Sequence, residues 1–187
     1  IGRIRWKDID HNGKITEADQ EWIYNPVPDF MYGFNIYLEY KNFDFTAFFQ
    51  GVQGVDIISD LKKETDIWAG LNIGFLNKGK RLLDAWSVNN PDSNIPALSL
   101  SDNNNEKRVS SYWVENGSYL KLRTIQLGYN FPQSIASKLA MQRLRMYVSA
   151  QNLFTIKSSS FTGVDPENPN YGYPIPLNIT FGLNVTF

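Results

Sequence analysis

The sequence predicts an all-β fold of long antiparallel strands, and an alternation of side chains carries that prediction. In residues 177–187 every second residue is apolar, from Leu177 to Phe187, and the residues between are small or polar. A strand turns successive side chains to opposite faces, so this segment has one apolar and one polar face. Its length is about what a tilted strand needs to cross a bilayer. A half-buried strand of a soluble sandwich shows the same pattern, so both remain open at this point.

Composition narrows the classes of function. Aromatic residues make up 14% of the 187 residues, which suits a membrane barrel with aromatic girdles or a ligand-binding β-protein. The net charge of -1 gives no basic face for a nucleic acid. The absence of Cys excludes a disulfide framework and a thiolate metal site. Because the chain begins at Ile1 without Met or a signal-peptide pattern, we expect a portion of a longer polypeptide.

The first predicted domain, residues 1–28, contains an acidic loop with the spacing of an EF-hand Ca²⁺ loop. Short oxygen-bearing side chains alternate along it, and Gly13 permits the sharp turn that lets them converge. The predicted metal ligands are Asp8, Asp10, Asn12, the backbone carbonyl of Lys14, and Asp19. Asp19 stands where Glu usually closes such a loop. The alternative is an Asx-rich turn, capped by Thr16, that leads into a short helix over 17–24.

The second predicted domain, residues 29–187, carries the strands. Alternating apolar residues predict strands over 30–40, 43–52, 119–131, 143–154 and 177–187. Lys41 and Asn42 form a predicted tight turn within the first hairpin. Arg143 and Arg145 share one face of the fourth strand, which is costly in lipid but natural in a polar lumen.

The third strand changes its pattern midway. Leu120 and Leu122 fall on the face opposite to Ile125 and Leu127 if the strand is regular. Either the strand is bulged near residues 123–124, or its first half lies beyond the apolar band.

Residues 52–118 are predicted to form a long connection, with a helix or an irregular loop over 55–76. Long loops on one side are expected of an outer-membrane barrel. Trp68, Trp86, Tyr112 and Trp113 lie in this connection. Such rings stack on sugars when they are exposed, but packing within the loop is the favoured interpretation.

The sequence lacks the motifs of the common catalytic sites. The sequence has no phosphate-binding glycine loop and no G-x-S-x-G elbow, and its single His, His11, lies within the acidic loop. The sequence therefore predicts that the protein is not an enzyme.

Eight short sequence motifs follow one another along the chain. They are D-I-D-H-N-G-K-I-T at 8–16, N-P-V-P-D-F-M-Y-G-F at 25–34, Y-K-N-F-D-F-T-A-F-F-Q-G-V-Q-G at 40–54, E-N-G-S-Y-L-K-L-R at 115–123, L-G-Y-N-F-P at 127–132, R-M-Y-V-S-A-Q-N-L-F-T at 145–155, G-V-D-P-E at 163–167 and F-G-L-N-V-T-F at 181–187. In this order they resemble the C-terminal portion of the SusC/RagA-type TonB-linked outer-membrane transporters of the Bacteroidetes.

The resemblance implies part of a large transmembrane β-barrel in the bacterial outer membrane that imports glycans or oligopeptides. It implies a SusD-like surface lipoprotein, the TonB complex, acting through an upstream region, and the barrel-assembly machinery as partners. The assembly signal would be the terminal strand, through Phe181, Leu183, Val185 and Phe187. Five strands are too few to close such a barrel alone. The alternative function is a soluble β-sandwich that binds carbohydrate and has a calcium loop.

Overall fold

The computed structural model describes residues 2–66, 78–99, 101–102, 104–170 and 172–187. The chain forms two compact units. The sheet unit comprises Val27–Val55, Asn116–Asn168 and Tyr173–Phe187. The loop unit comprises Ile1–Pro26, Asp56–Glu115 and Pro169–Gly172.

Strands dominate the described residues. They are β1 (Phe30–Tyr40), β2 (Phe43–Gln53), β3 (Asp56–Ile58), β4 (Val114–Asn116), β5 (Tyr119–Asn130), β6 (Arg143–Lys157) and β7 (Asn178–Thr186). The α-helices are α1 (Asp60–Asp66) and α2 (Gln133–Ala136), and short 3-10 segments lie at Glu17–Asp19, Lys80–Asp84, Ser111–Trp113 and Ser137–Leu139. No helix within these described ranges has the length and apolar character needed to cross a membrane.

The sheet unit is one open, five-stranded antiparallel sheet in the order β1-β2-β5-β6-β7. The predicted all-β, antiparallel fold class is thereby confirmed. All five long strands occur at the predicted places, and the largest difference is that β6 continues to Lys157 rather than ending at 154. These strands form because their β-branched and aromatic residues alternate with small and polar ones, which suits a pleated surface with two unlike faces.

A β-bulge in β5 explains the change of pattern in the third predicted strand. Phe48 pairs with Thr124 and Phe49 pairs with Leu122, so Arg123 is the extra residue. A bulge of one residue reverses which face the following side chains occupy. Leu120 and Leu122 therefore lie on the same face as the apolar residues that follow the bulge, and of the two predicted explanations the bulge is correct.

The connections differ between the two ends of the sheet. At one end, Lys41 and Asn42 join β1 to β2, with Lys41 in the left-handed region at φ 55°. At the same end α2 and a 3-10 turn join β5 to β6, as expected of a short connector that starts at Pro132. At the other end, the chain leaves β2 and β6 for the long segments 54–118 and 158–177.

The loop unit is held together by side chains rather than by extended ladders. Its core is Trp113, which is fully buried and packs against Ile58 and Tyr112. β3 and β4 form a small two-stranded sheet. Arg3 contacts Glu106 through a double hydrogen bond of 2.7 and 2.6 Å. Because 56–115 fold with the N-terminal residues, the predicted boundary after residue 28 captures only the first segment of this unit.

The predicted helix over 17–24 is wrong. Only Glu17–Asp19 is helical, as a 3-10 turn capped by Thr16, and Gln20 already has extended geometry. None of the three residues of the turn is buried, so no tertiary packing stabilises a longer helix, and short helices are marginal without it.

Candidate functional site

One face of the five-stranded sheet is apolar on every strand. The register places Leu38, Phe45, Leu127, Val148 and Phe181 in one row that crosses all five strands. The adjacent rows are Ile36–Ala47–Ile125–Ala150–Ile179 and Tyr40–Phe43–Tyr129–Met146–Leu183. The bulge keeps this face continuous toward the long segments, where Phe34, Phe49, Leu122 and Phe154 form a further row.

The apolar face does not form an interior core. Phe34, Leu183 and Phe181 are 45%, 62% and 81% exposed. A soluble monomer rarely exposes a contiguous apolar surface that crosses a whole sheet. The face therefore needs an apolar environment that the described residues do not themselves provide.

Aromatic rings lie at both ends of this apolar face. At the end with short connections, Phe43 and Tyr129 are 4.8 Å apart between ring centroids, and Phe131 lies 5.1 Å from Tyr129. At the other end, Phe30 and Tyr32 are 5.8 Å apart. Rings with an apolar body and a polar edge are enriched where a membrane meets water.

The predicted assembly signal lies on the exposed outer strand. Phe181, Leu183 and Val185 alternate along β7 on the apolar face, and Phe187 follows directly after the strand. Phe181 and Phe187 are 81% and 78% exposed. The structure thus places these side chains where another molecule can contact them.

The opposite face of the sheet is polar and carries paired charges. Arg145 of β6 reaches across β5 to Asp44 of β2, with Nε donating to Oδ2 at 2.9 Å, and Asn130 donates to the same oxygen at 3.0 Å. The pair passes directly over Gly128, where a Cβ atom would lie only 2.4 Å from the Arg145 Nη2 atom. Glycine is required there by this close approach.

A second group of charges on the polar face is an ion clasp formed by Lys121, Arg123, Asp165 and Glu167. Lys121 is fully buried, and its Nζ donates to Asp165 Oδ2 and Glu167 Oε2, both at 2.6 Å. Arg123 Nη1 donates to Glu167 Oε2 at 2.8 Å. A buried ammonium group is tolerated only when it is paired in this way.

The surroundings of Glu167 favour its charged form. Burial works to raise the pKa of this carboxyl, but hydrogen bonds from Lys121, Tyr119 and Arg123 outweigh burial and hold the pKa below its ordinary value. Glu167 is therefore a carboxylate at neutral pH.

Sequence reasoning missed the ion clasp. Lys121 and Asp165 are 44 positions apart, and nothing in the local pattern links them. The available signals were the two charges flanking Leu122 in a strand and the D-P-E turn at 165–167.

The acidic loop brings three of the five predicted metal ligands together. Asp8, Asp10 and Asp19 each offer a carboxylate oxygen, and these oxygens lie within 4.8 Å of one another. The Gly13 N–H donates to Asp8 at 2.8 Å, and Gly13 has φ 80°, as the sharp turn requires. This donor set of hard oxygens fits a Ca²⁺ ion.

Backbone hydrogen bonds engage two of the predicted ligands, Asn12 and Asp19. The Asn12 side-chain oxygen accepts the Lys14 N–H at 2.8 Å, so that oxygen stabilises the turn. Asp19 accepts the N–H groups of Thr16 and Ile9 at 2.6 and 2.8 Å. These backbone hydrogen bonds lower the pKa of Asp19, that of Thr16 most strongly, and favour the carboxylate.

The aromatic residues of the long connection mostly pack inside the loop unit. Trp113 is buried, and its Nε1 donates to the Arg108 carbonyl at 3.0 Å. The Tyr112 hydroxyl donates to Asp66 at 2.8 Å, and burial and this carboxylate raise the pKa of Tyr112. The Trp86 ring lies against Gly2. Trp68 lies outside the described residues. Packing, rather than sugar stacking, therefore accounts for the three rings that are described.

Comparison with curated proteins finds relatives over nearly the whole chain. TonB-dependent receptor P3 of Formosa agariphila is 37% identical over 96% of this chain, and TonB-dependent receptor P26 of the same organism is 32% identical over 100%. TonB-dependent receptor SusC of Bacteroides thetaiotaomicron is 27% identical over 96%. The chain spans only 18%, 20% and 17% of these proteins, about a fifth of their length. No family model matches the chain.

Solved structures give the same result for the fold. The structure of the RagAB peptide transporter superposes with a TM-score of 0.75 and 26% identity, over 93% of this chain and 19% of that chain. The RagAB peptide importer in its closed-closed state gives 0.74 and 27%, over 96% of this chain and 20% of that chain. These relatives are named as receptors and transporters, which is consistent with the prediction of a non-enzyme. The resemblance that the series of sequence motifs indicated is confirmed: the chain is homologous, over nearly its whole length, to SusC/RagA-type TonB-dependent receptors.

Proposed function

We propose that this chain is the C-terminal part of the barrel wall of a TonB-dependent transporter in the bacterial outer membrane. The observation that carries the proposal is the exposed apolar face, which crosses all five strands without interruption and lies opposite a face of paired charges. Lipid tails satisfy the first face and a water-filled lumen satisfies the second. The open edges at β1 and β7 would pair with the strands that the rest of the receptor supplies.

The different connections at the two ends of the sheet support a direction in which the sheet crosses the outer membrane. Outer-membrane barrels have short turns on the periplasmic side and long loops outside the cell. The Lys41–Asn42 turn would therefore face the periplasm, and the long segments that follow β2 and β6 would begin on the extracellular side. The acidic loop would then lie in a compartment where Ca²⁺ is abundant enough for weak sites.

The cargo we propose is a glycan or an oligopeptide. The peptide class is supported by the similarity to RagAB, which is described as a peptide transporter. The glycan class rests on the resemblance to the SusC-type transporters. Import would be driven by the TonB complex, through a region outside this chain, with a SusD-like lipoprotein as surface partner. β7 and Phe187, which follows it, would be the segment that the barrel-assembly machinery binds, because Phe181, Leu183 and Val185 are available on one face of the strand and Phe187 is exposed.

Deletion of the gene for the full receptor tests the transport proposal. Uptake of fluorescent oligopeptides and oligosaccharides would be measured in deleted and complemented cells, with and without a protonophore. We expect one of the two cargo classes to lose uptake on deletion and on collapse of the proton-motive force. Unchanged uptake of both classes would contradict the proposal.

The soluble carbohydrate-binding alternative is less well supported. It would require the apolar rows to meet in a sandwich core and the loop rings to present their faces. Instead Phe181 is 81% exposed and Trp113 is fully buried.

We also propose that the acidic loop binds Ca²⁺ through Asp8, Asp10 and Asp19, with Asn12 and the Lys14 carbonyl joining on a small adjustment. The converging carboxylates are the supporting observation. Calorimetric titration of the intact receptor with Ca²⁺ would compare the wild type with Asp8→Ala, and with Asp92→Ala as an exposed control. Loss of one binding event in Asp8→Ala alone is expected, and identical titrations in all three proteins would refute the site.

A further inference from the structure

The segment that follows β6 folds back over the polar face of the sheet. We call residues 158–168 the strap. Asp165 and Glu167 of the strap contact Lys121 of β5, and Tyr119, also on β5, donates its hydroxyl to Glu167 at 2.5 Å. The strap follows β6 in the chain, but it covers the neighbouring strand, β5.

The bulge in β5 is what makes this attachment possible. Lys121 alternates with Leu120 and Leu122, so it points to the polar face. Arg123 is the inserted residue, and its side chain points to the same face, where Nε also donates to Gln50 at 2.8 Å. Bulges commonly redirect a side chain in this way. Two neighbouring cations thus meet the two carboxylates of the strap.

A second attachment fixes the other end of the strap. Phe161 is only 4% exposed, and Lys157 lies 5.1 Å from the centre of its ring. The Lys157 ammonium also donates to the Gly163 carbonyl. A Cβ atom on Gly163 would lie 2.4 Å from the Phe161 ring, so only glycine permits this packing.

The strap has an inner and an outer side. Phe161, Gly163 and Asp165 are buried, whereas Thr162 and Val164 between them are exposed. Val164 is 66% exposed, and it is the apolar side chain that the strap presents away from the sheet.

We propose that the strap is a fixed lining element of the water-filled path, that Lys121 and Arg123 are its positioning residues, and that Val164 faces the passing solute. This inference rests on the proposed function, because the polar face must be the lumen side. It predicts that the clasp controls the order of the strap without controlling the order of the sheet.

Hydrogen exchange of the intact receptor, followed by mass spectrometry, tests the positioning role. We expect Glu167→Gln and Arg123→Met to raise exchange of 158–168 at least tenfold while exchange of β5 and β6 stays unchanged. Arg123→Lys keeps the charge and should restore most of the protection. Glu39→Gln is a matched carboxylate control on β1 and should change nothing in the strap. Unaltered strap exchange, or a parallel rise across the sheet, would overturn the positioning role.

Single cysteines in the lipid-embedded receptor test the placement, with any other cysteines replaced. A membrane-impermeant maleimide should label Val164→Cys about as fast as Thr180→Cys on the polar face of β7, and should spare Phe181→Cys on the apolar face. Labelling of Thr180→Cys but not Val164→Cys would overturn the strap inference alone. Equal labelling of Thr180→Cys and Phe181→Cys would instead contradict the proposed membrane barrel.

Discussion

The sheet unit and the loop unit reach order by different means. In the sheet unit, long strands pair with one another, and side chains along each strand alternate between the same apolar face and the same polar face. In the loop unit the described elements are three to seven residues long, and single side chains such as Trp113 and Glu106 join distant segments. Substitutions in the sheet should therefore act according to face, whereas those in the loop unit should act according to a few critical positions.

The largest effect is expected from Trp113→Ala in the loop unit. Removing a fully buried Trp costs about 3–5 kcal/mol, since the cavity that remains cannot collapse completely. Trp22→Ala is the matched control, because Trp22 is 87% exposed. Limited proteolysis of the purified receptor should show rapid cleavage within 78–115 for Trp113→Ala only. Equal resistance of the two variants would show that the unit does not depend on this core.

An arginine on the apolar face is expected to have the next largest effect. Ile179→Arg should cost about 2–4 kcal/mol, because Ile179 lies in a row between the two sets of terminal aromatic rings, toward the bilayer midplane. Thr180→Arg, on the polar face of the same strand, should cost little. The readout is the fraction of receptor in the outer membrane that shows the heat-dependent electrophoretic shift of a folded barrel. Equal loss for both faces would remove the distinction between them.

A smaller effect is expected from Gly128→Ala on the polar face. The new methyl group would displace the Arg145–Asp44 pair, at a cost of about 1–3 kcal/mol for overpacking. Gly172→Ala is the control, because a Cβ atom there would meet no atom within 4 Å. Denaturant unfolding of the reconstituted receptor should separate the two variants. Coincident unfolding curves would contradict the close approach seen over Gly128.

The smallest effect is a pH dependence of the loop unit. Burial works to raise the pKa of Glu106, but hydrogen bonds from Arg3, the Ile4 N–H and Asn104 outweigh it, so the folded-state pKa is lowered. The resulting stabilisation is fully present above the ordinary Glu value of about 4.3 and is lost as the pH falls through the lower folded value.

Hydrogen exchange of 104–115 between pH 7 and 3, corrected for its intrinsic pH dependence, would measure this loss of protection. In Glu106→Gln the corresponding loss should be smaller. A wild type and a variant with identical pH profiles would exclude Glu106 as the responsible group.

The strands were predictable because their signal is local. A period of two residues is visible in any window of strand length, and the departure from it at Leu120 and Leu122 indicated either a bulge or a strand half beyond the apolar band. The register of the paired strands decides for the bulge. The convergence of Asp8, Asp10 and Asp19 was likewise local, because their spacing alone brings them together.

The rest depended on contacts between residues far apart in the sequence. Thr16 as a cap predicted a helix over 17–24, yet the 3-10 turn ends at Asp19 because none of its residues is buried against a partner. The ion clasp needs the bulge, the return of the strap and a buried Lys121 together. No one of these features indicates the other two in the sequence.

In the proposed barrel, one face of this sheet contacts lipid and the other contacts water. Nitroxide labels placed one at a time along 178–186 of the reconstituted receptor test it most directly, through collision rates with oxygen and with a water-soluble nickel complex. This division predicts oxygen accessibility at Ile179, Phe181, Leu183 and Val185, and nickel accessibility at the polar-face positions Asn178, Thr180 and Asn184. Accessibility that does not alternate along β7, or high nickel accessibility on both faces, would contradict it.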